Sequence, residues 1–152
     1  MIHYQQGDLL NSPCKYICHQ VNCRGEMGAG VAAQIAQRWP QVYQEYRDLY
    51  EAYVWDRLFP SPLGTVQLVP INEHQFVANL FAQEDYGRDQ RYTSYDAFWE
   101  CLNWLHGITG PTDKIAFPYG IGCGLGGGNW HIILKMIEIA LHDREVFIYI
   151  KE

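Results

Sequence analysis

The chain has no long apolar run and few basic residues. No apolar stretch approaches the roughly 18 to 20 residues that a membrane-spanning helix requires, and residues 1–6 show neither the basic nor the apolar segment of a signal peptide. Against 17 Asp and Glu residues stand 11 Lys and Arg, which gives a net charge of −6. Without a membrane span or a signal peptide, we expect a soluble, cytoplasmic protein. Because proteins that bind nucleic acid or anionic membranes use a basic surface, we also expect no membrane partner, and nucleic acid is disfavoured as a partner.

Cysteines do not form the pattern of a disulfide framework. The chain has five, an odd number, in apolar or glycine-rich surroundings, as expected of free thiols in a reducing compartment. A zinc site is the alternative for the group nearest the N-terminus, which comprises Cys14, Cys18, His19 and Cys23. Its spacing is irregular, and adjacent residues of a strand point to opposite faces. The sequence therefore predicts no metal and no cofactor.

Two common nucleotide-binding motifs are absent. There is no G-K-[ST] sequence, which excludes a P-loop NTPase. Residues 25–30 have the spacing G-x-x-G-x-G, the reverse of the dinucleotide fingerprint, and the next 20 positions are helical where that fingerprint requires a strand ending in an acidic residue. A nicotinamide-binding Rossmann domain is thereby disfavoured.

Hydrophobic periodicity predicts strands that alternate with helices. The predicted strands are residues 2–6, 16–21, 65–71, 75–82, 114–117 and 145–150, and the predicted helices are residues 28–38, 41–53, 93–106 and 130–142, the third with a capping box that begins at Thr93. This alternation favours an α/β fold, a three-layer α/β/α sandwich with a mixed, mostly parallel six-stranded central sheet. A length of 152 residues with 48% hydrophobic content fits a single domain, residues 1–152.

Glycine is concentrated in one loop. Six of the 14 glycines fall between Gly120 and Gly128, after a predicted strand and before a predicted helix. Without a Cβ, such a loop can turn its N–H groups toward an anion, and the positive end of the next helix adds to the attraction. Flexible linkers are polar, whereas these glycines alternate with Ile121, Cys123 and Leu125. Together with the glycines at 25–30, the loop predicts a phosphate site at the carboxyl ends of two strands.

Four segments together resemble the macrodomain family. They are residues 7–10 (GDLL), 19–30 (HQVNCRGEMGAG), 79–83 (NLFAQ) and 118–125 (PYGIGCGL). The resemblance covers nearly the whole chain and is most specific in the two glycine loops. It is closest to the subgroup of ADP-ribose-1″-phosphate phosphatases and terminal ADP-ribose protein glycohydrolases. It implies a mixed six-stranded sheet that binds ADP-ribose across its top, and hydrolysis of an ADP-ribose derivative at the 1″ position.

Carried over residue by residue, the resemblance implies a set of ligand contacts. Asp8 would accept a hydrogen bond from the adenine amino group, and Leu9 would support the ring. Tyr149 would stack near adenine, with packing inside the sheet as its alternative role. Asn22 would face the distal ribose. The remaining implied contacts, with that ribose and the diphosphate, are Gly28, Ala29, Gly30, Val31, Gly120, Ile121, Gly122, Cys123, Gly124 and Leu125.

Two departures from the glycohydrolases bear on the activity. Those enzymes use a lysine nucleophile at the end of the strand that here closes with Gln83, and an aspartate after G-C-G-L, where Gly126 stands. The phosphatase-like members share the pattern H-x-x-N-C-x-G-x-x-G-x-G, which here begins at His19. His19 is therefore the predicted general base, acting on a water that Asn22 positions.

The sequence leaves other roles open. His19 could be a structural histidine, and His131 or a carboxylate of residues 84–89 could replace it as the base. Cys123 is interpreted as a close-packing residue rather than a nucleophile. A non-catalytic module that reads or senses ADP-ribose is the alternative to a hydrolase, and removal of ADP-ribose from nucleic acid is a further alternative. We expect a monomer.

Overall fold

A computed structural model describes residues 1–55 and 61–151 of the chain. The strands are β1 (Ile2–Gln6), β2 (Tyr16–Asn22), β3 (Val66–Pro70), β4 (Phe76–Gln83), β5 (Lys114–Pro118) and β6 (Glu145–Ile150), and the helices are α1 (Gly30–Arg38), α2 (Pro40–Trp55), α3 (Tyr95–Ile108) and α4 (Trp130–Ala140). The predicted alternation of strands and helices is confirmed, with shifts of a few residues at the ends. None of the helices in these two ranges is long and apolar enough to cross a membrane.

The six strands form one mixed sheet in the order β1-β6-β5-β2-β4-β3. Every neighbouring pair is parallel except β3 and β4, which are antiparallel and joined by a short turn. Parallel neighbours require crossover connections, and the helices supply them. The mostly parallel sheet is confirmed, and the carboxyl ends of β2, β4 and β5 lie together at one edge of it.

Helices cover both faces of the sheet. Phe98 of α3 and Ile133 of α4 are fully buried against one face, whereas Ile35 of α1 and Tyr46 of α2 are fully buried against the other. Since successive strand residues point to opposite faces, β2 contributes to both cores and is almost entirely buried. The predicted three-layer α/β/α sandwich is confirmed.

The N-cap of helix α3 lies one residue later than predicted. Ser94 is the N-cap, because its side chain accepts a hydrogen bond from the backbone N–H of Ala97 at 3.1 Å. The assignment of that role to Thr93 is wrong. The Thr93 side chain is buried instead and donates a hydrogen bond to the carbonyl of Gly122 at 2.7 Å, so it ties the start of α3 to the glycine loop.

Candidate functional site

A cleft made of three adjoining cavities lies at the carboxyl ends of β2, β4 and β5. The first cavity, of about 380 Å³, lies between Asn22 and residues 86–88. The central cavity, of about 300 Å³, lies between the start of α1 and residues 120–126. The third cavity, of about 280 Å³, lies between Asp8 and Tyr149. Shared lining residues connect them, Gln20, Gln83 and Leu125 between the first and central cavities and Val31, Pro118 and Tyr119 between the central and third.

The N-terminus of α1 forms one wall of the central cavity. Ala29 is its N-cap but has no side chain that could accept a capping hydrogen bond, and Gly30 has φ of +58°. The first helical hydrogen bond is made by Ala33, so the N–H groups of Gly30, Val31 and Ala32 have no acceptor among the described residues. These three donors and the positive end of the helix dipole suit an anion.

The glycine loop forms the opposite wall. Several of its N–H groups donate hydrogen bonds within tight turns. The N–H of Cys123 donates to the Gly120 carbonyl at 2.8 Å, and the N–H of Gly128 donates to the Gly122 carbonyl at 2.8 Å. Gly120 and Gly122 both have φ of +75°, which favours glycine. The N–H groups of Gly122, Gly124 and Leu125 have no acceptor within the described part of the chain. Donors therefore line the central cavity on both sides.

The predicted site residues lie along this cleft with one exception. All of them line one of the three cavities except Cys123. The thiol of Cys123 is half-buried and donates to the carbonyl of Ile121 at 3.4 Å, and burial raises its pKa. A thiol with a raised pKa is a poor nucleophile, which fits the interpretation of Cys123 as a packing residue.

His19 lies beneath the central cavity and is 1% exposed. Its Nε2 lies 2.5 Å from Oδ1 of Asn79, and its Nδ1 is buried without a partner among the described residues. Burial lowers its pKa from the ordinary 6.5 to about 4, while the hydrogen bond to Asn79 opposes that shift. The imidazole is therefore neutral at pH 7. The rival histidine, His131, is exposed on the first turn of α4 and does not line the cleft.

Asn22 holds the shape of the first glycine loop. Its Nδ2 donates to the carbonyl of Glu26 at 2.9 Å, and its Oδ1 accepts from the backbone N–H of Arg24 at 3.0 Å. The hydroxyl of Tyr46 donates to the same Oδ1 at 2.7 Å. These bonds engage Oδ1 fully, and one N–H of Nδ2 has no acceptor among the described residues. Its predicted contact with a ribose or a water stays a prediction.

Aromatic and acidic groups line the third cavity. Oδ1 of Asp8 accepts from the backbone N–H of Leu10 at 3.0 Å, which leaves Oδ2 without a partner in the described residues. The Tyr149 side chain is 9% exposed, in the sheet. Tyr119 is 53% exposed beside it and contacts Trp130, with 4.8 Å between ring centroids. Tyr119 is thus an aromatic of the cleft that the sequence did not single out.

Gln20, Gln83 and Thr93 form a polar network that the sequence did not predict. Nε2 of Gln20 donates to Oε1 of Gln83 at 2.7 Å and to Oγ1 of Thr93 at 2.8 Å. Gln83 in turn donates to the carbonyl of Asp85 at 2.8 Å. The available signal was weak, since Gln20 and Gln83 are polar residues near the carboxyl ends of buried strands. Because Thr93 also donates to the carbonyl of Gly122, the network joins Asp85 to the glycine loop at residues 120–128.

Residues 84–92 close the far side of the first cavity. The backbone N–H of Cys23 donates to the carbonyl of Glu84 at 3.1 Å, and that of Tyr92 donates to the carbonyl of Gly126 at 2.8 Å. This segment is polar and shows no hydrophobic periodicity in the sequence. It places Tyr86, Gly87 and Arg88 in the lining, whereas no carboxylate of residues 84–89 lines the cleft.

The candidate zinc residues do not come together. Cys18 lies in the core beneath α3 and α4, whereas Cys14 and Cys23 lie in the core beneath α1 and α2. Within residues 1–55 and 61–151, no group of three His, Cys, Asp or Glu side chains could hold a metal ion.

Comparison with solved structures identifies the fold. No protein-family model matches the chain. A macrodomain protein from Streptomyces coelicolor shares 26% identity and a TM-score of 0.81, over 98% of each chain. The chain has the macrodomain fold. A protein of unknown function from Bacteroides thetaiotaomicron is also similar to this macrodomain, with 29% identity and a TM-score of 0.86 over 99% of this chain and 98% of that one.

Other relatives resemble this macrodomain over part of their length. DarTG from Thermosipho africanus, solved in complex with ADP-ribose, shares its fold with a TM-score of 0.74 and 21% identity, over 96% of this chain and 41% of that one. An ADP-ribose 1″-phosphate phosphatase from Saccharomyces cerevisiae is 35% identical over 62% of this chain and 55% of its own. A DNA ADP-ribosyl glycohydrolase from Mycobacterium tuberculosis is 41% identical over 46 residues, 30% of this chain and 13% of its own.

Proposed function

We propose that this macrodomain binds ADP-ribose along the cleft and hydrolyses an ADP-ribose derivative at the 1″ position. The observation that carries the proposal is the central cavity, where backbone N–H groups from α1 and from the glycine loop face each other. Among residues 1–55 and 61–151, no Lys, Arg, Asp or Glu side chain lines it. Backbone donors of this kind suit a diphosphate rather than an uncharged ligand.

The order of the cavities supports a ligand with a nucleoside at one end and a sugar at the other. With the diphosphate in the central cavity, adenine lies in the third cavity, where Oδ2 of Asp8 can accept from its amino group and Tyr119 offers an exposed ring. The distal ribose then lies in the first cavity, against Asn22 and Arg88. The relatives with ADP-ribose in their names support the same ligand.

Hydrolysis adds water at the 1″ carbon, breaks the bond to the substituent and releases ADP-ribose and the protonated leaving group. The cleft would hold the ribose and the water in place, which is a large part of the catalysis available to such a site. A base with a pKa of about 4 removes a proton only weakly at pH 7, so the geometry gives limited support to His19 as the general base.

A reader of ADP-ribose is the second candidate, and Gly126 is the observation that favours it. A Cβ at Gly126 would lie 2.4 Å from Oγ1 of Thr93 and 2.8 Å from the carbonyl of Gly122. An aspartate, as the glycohydrolases carry there, would not fit unless Thr93 moved. Gln83 occupies the end of β4 where those enzymes have lysine. Binding is then supported more strongly than turnover.

Removal of ADP-ribose from nucleic acid is the third candidate. Arg88 is exposed and lines the first cavity, next to the proposed position of the 1″ substituent. Arg24 lies nearby but within 3.5 Å of Asp85, which offsets its charge. The name of the mycobacterial relative favours this candidate. The net charge of −6 opposes it, because a duplex or single strand would approach an acidic surface.

Calorimetry tests the binding site through Asp8. We expect saturable binding of ADP-ribose, and Asp8→Ala should weaken it by about 1 to 3 kcal/mol through loss of a charge-assisted hydrogen bond. Asp8→Asn keeps an oxygen that accepts from the Leu10 N–H but removes the negative charge. It therefore tests the contact with the ligand without breaking the turn. Asp48→Ala, an exposed position on α2, is the control. Equal affinity for ADP-ribose and inorganic diphosphate would contradict the placement of adenine.

Turnover on a panel of substrates separates the three candidates. The panel comprises ADP-ribose-1″-phosphate, an O-acyl-ADP-ribose, and protein and DNA that carry ADP-ribose. Release of ADP-ribose from any of them supports a hydrolase and identifies the linkage. Tight binding of ADP-ribose with no release from the whole panel would establish a reader and end the hydrolase proposal.

A further inference from the structure

A chain of hydrogen bonds leads from His19 to the backbone of α2. His19 Nε2 lies 2.5 Å from Oδ1 of Asn79. Nδ2 of Asn79 donates to Oε1 of Gln67 on β3 at 3.0 Å. Nε2 of Gln67 donates to the carbonyl of Glu45 at 3.0 Å. Asn79 is 0% exposed, and neither Asn79 nor Gln67 lines the cleft.

The far end of this chain sets the direction of every bond in it. A backbone carbonyl can only accept, so Gln67 must present its amide nitrogen to Glu45 and its oxygen to Asn79. Asn79 must then present its nitrogen to Gln67 and its oxygen to His19. His19 is left as the donor through Nε2–H, and in a neutral imidazole the other nitrogen, Nδ1, is an acceptor.

The free acceptor belongs to a residue that lines the cleft. Nδ1 is buried and has no partner in the described residues, although a buried polar atom without a partner costs stability. His19 belongs to the lining of the central cavity, whose other titratable member is Tyr119. From α1 the lining adds the apolar side chains of Val31 and Ala32. The core between α1, α2 and the sheet contains the titratable side chains of Cys14, Cys23, Tyr46 and Tyr149, and the Tyr46 hydroxyl is bonded to Asn22.

We infer that Asn79 and Gln67 are positioning residues, which lock His19 as the Nε2–H tautomer so that Nδ1 accepts a hydrogen bond from an O–H group in the central cavity. The inference rests on the proposed function for the identity of the ligand. The donor is either a hydroxyl of the distal ribose or a water held by the diphosphate. His19 then acts as a neutral acceptor that orients this hydroxyl, and it does not need to gain a proton.

The tautomer can be measured on the unaltered protein. Nitrogen-15 NMR of the His19 ring distinguishes a protonated from an unprotonated nitrogen, independently of any ligand. We expect Nε2 protonated and Nδ1 unprotonated from pH 6 to pH 8. A proton on Nδ1 in the free protein, or a mixture of the two tautomers, would overturn the inference.

Two ligands locate the donor. ADP contains the adenosine and diphosphate of ADP-ribose but lacks the distal ribose. A shift of the Nδ1 signal with ADP-ribose alone indicates a ribose hydroxyl, and a shift with both ligands indicates a water beside the diphosphate. Saturable binding of ADP-ribose with no Nδ1 shift overturns the acceptor role. If ADP-ribose does not bind, the proposed function fails and the acceptor role with it, while the tautomer measurement still decides the positioning role.

Gln67→Met tests the positioning role from outside the cleft. Methionine has nearly the shape of glutamine but offers no comparable donor or acceptor, so Asn79 loses the bond that orients its amide. We expect the Nδ1–H tautomer to appear and the affinity for ADP-ribose to fall about 2- to 10-fold. Gln75→Met is the matched control, because Gln75 likewise donates to backbone carbonyls, those of Ser12 and Cys14, but lies away from His19. An unchanged tautomer in Gln67→Met would overturn the role of Gln67.

Discussion

Burial of an uncharged imidazole makes His19 a source of pH-dependent stability. The folded protein holds the pKa of His19 at about 4, chiefly because burial removes water from the charged form. In the unfolded chain the same side chain titrates near its ordinary 6.5. As the pH falls from 7 toward 4, the unfolded state binds a proton that the folded state excludes. The free energy of unfolding therefore decreases over this range. Below about pH 4 the contribution of His19 to it is constant.

Comparison with His19→Gln isolates this effect from the titration of carboxylates. Between pH 7 and pH 5, we expect the free energy of unfolding to fall by about 2 kcal/mol more in the unaltered protein than in the variant. Urea titrations at the two pH values measure the difference. His74→Gln, in the exposed turn between β3 and β4, should retain the full pH dependence. The same slope in the unaltered protein and His19→Gln would mean that His19 is protonated as readily when folded as when unfolded.

The glycine loop contains positions with two different requirements. At Gly126 and Gly128 a Cβ would lie within 2.8 Å of other loop or Thr93 atoms, so these glycines are needed for the fold. At Gly124 a Cβ would meet no atom within 4 Å, and the backbone there is not in the left-handed region. Gly124 is therefore required only if something approaches the loop from the cleft.

Gly124→Val tests the loop as a phosphate cradle. We expect binding of ADP-ribose to be lost, because the new side chain fills space beside the N–H groups of the loop, while the melting temperature changes little. Gly107→Val, in open space on α3, is the control for adding the same side chain outside the cleft. Affinity equal to that of the unaltered protein, measured by calorimetry, would remove the loop from the binding site.

Local patterns predicted the elements and the loops, but not the contacts between loops. The apolar run of β2 and the glycines after β2 and β5 are patterns within short stretches of sequence. The sheet and the two walls of the cleft could therefore be predicted from them. Gln20 and Gln83 meet because β2 pairs in parallel with β4, and Thr93 meets Gly122 across 29 positions of sequence. Nothing within a short window specifies such a register, and polar residues at strand ends resemble ordinary exposed ones.

Charge at the scale of the whole molecule sets the dependence of binding on salt. The protein carries a net charge of −6, and the central cavity offers an anion backbone donors in place of Lys or Arg. Salt therefore screens a general repulsion between protein and ligand, while short hydrogen bonds inside the cleft are little affected.

Calorimetry at increasing sodium chloride measures the balance. From 50 to 200 mM salt, we expect the affinity for ADP-ribose to stay within about a factor of two or to rise slightly. Binders that depend on Lys and Arg contacts to phosphates lose affinity steeply over the same range. A tenfold loss would indicate that cationic side chains such as Arg88 hold the ligand, and it would favour the nucleic acid candidate.

Because main-chain N–H groups line the central cavity, substitutions that remove side-chain atoms and substitutions that add them have different effects on it. Trimming side chains leaves the donors in place, so alanine scanning would pass over the central cavity. Substitutions that add atoms, as at Gly124, obstruct it. Side chains elsewhere can change as long as the turns that hold these N–H groups persist. A cleft of this kind tolerates substitutions that shorten side chains and is obstructed by substitutions that lengthen them.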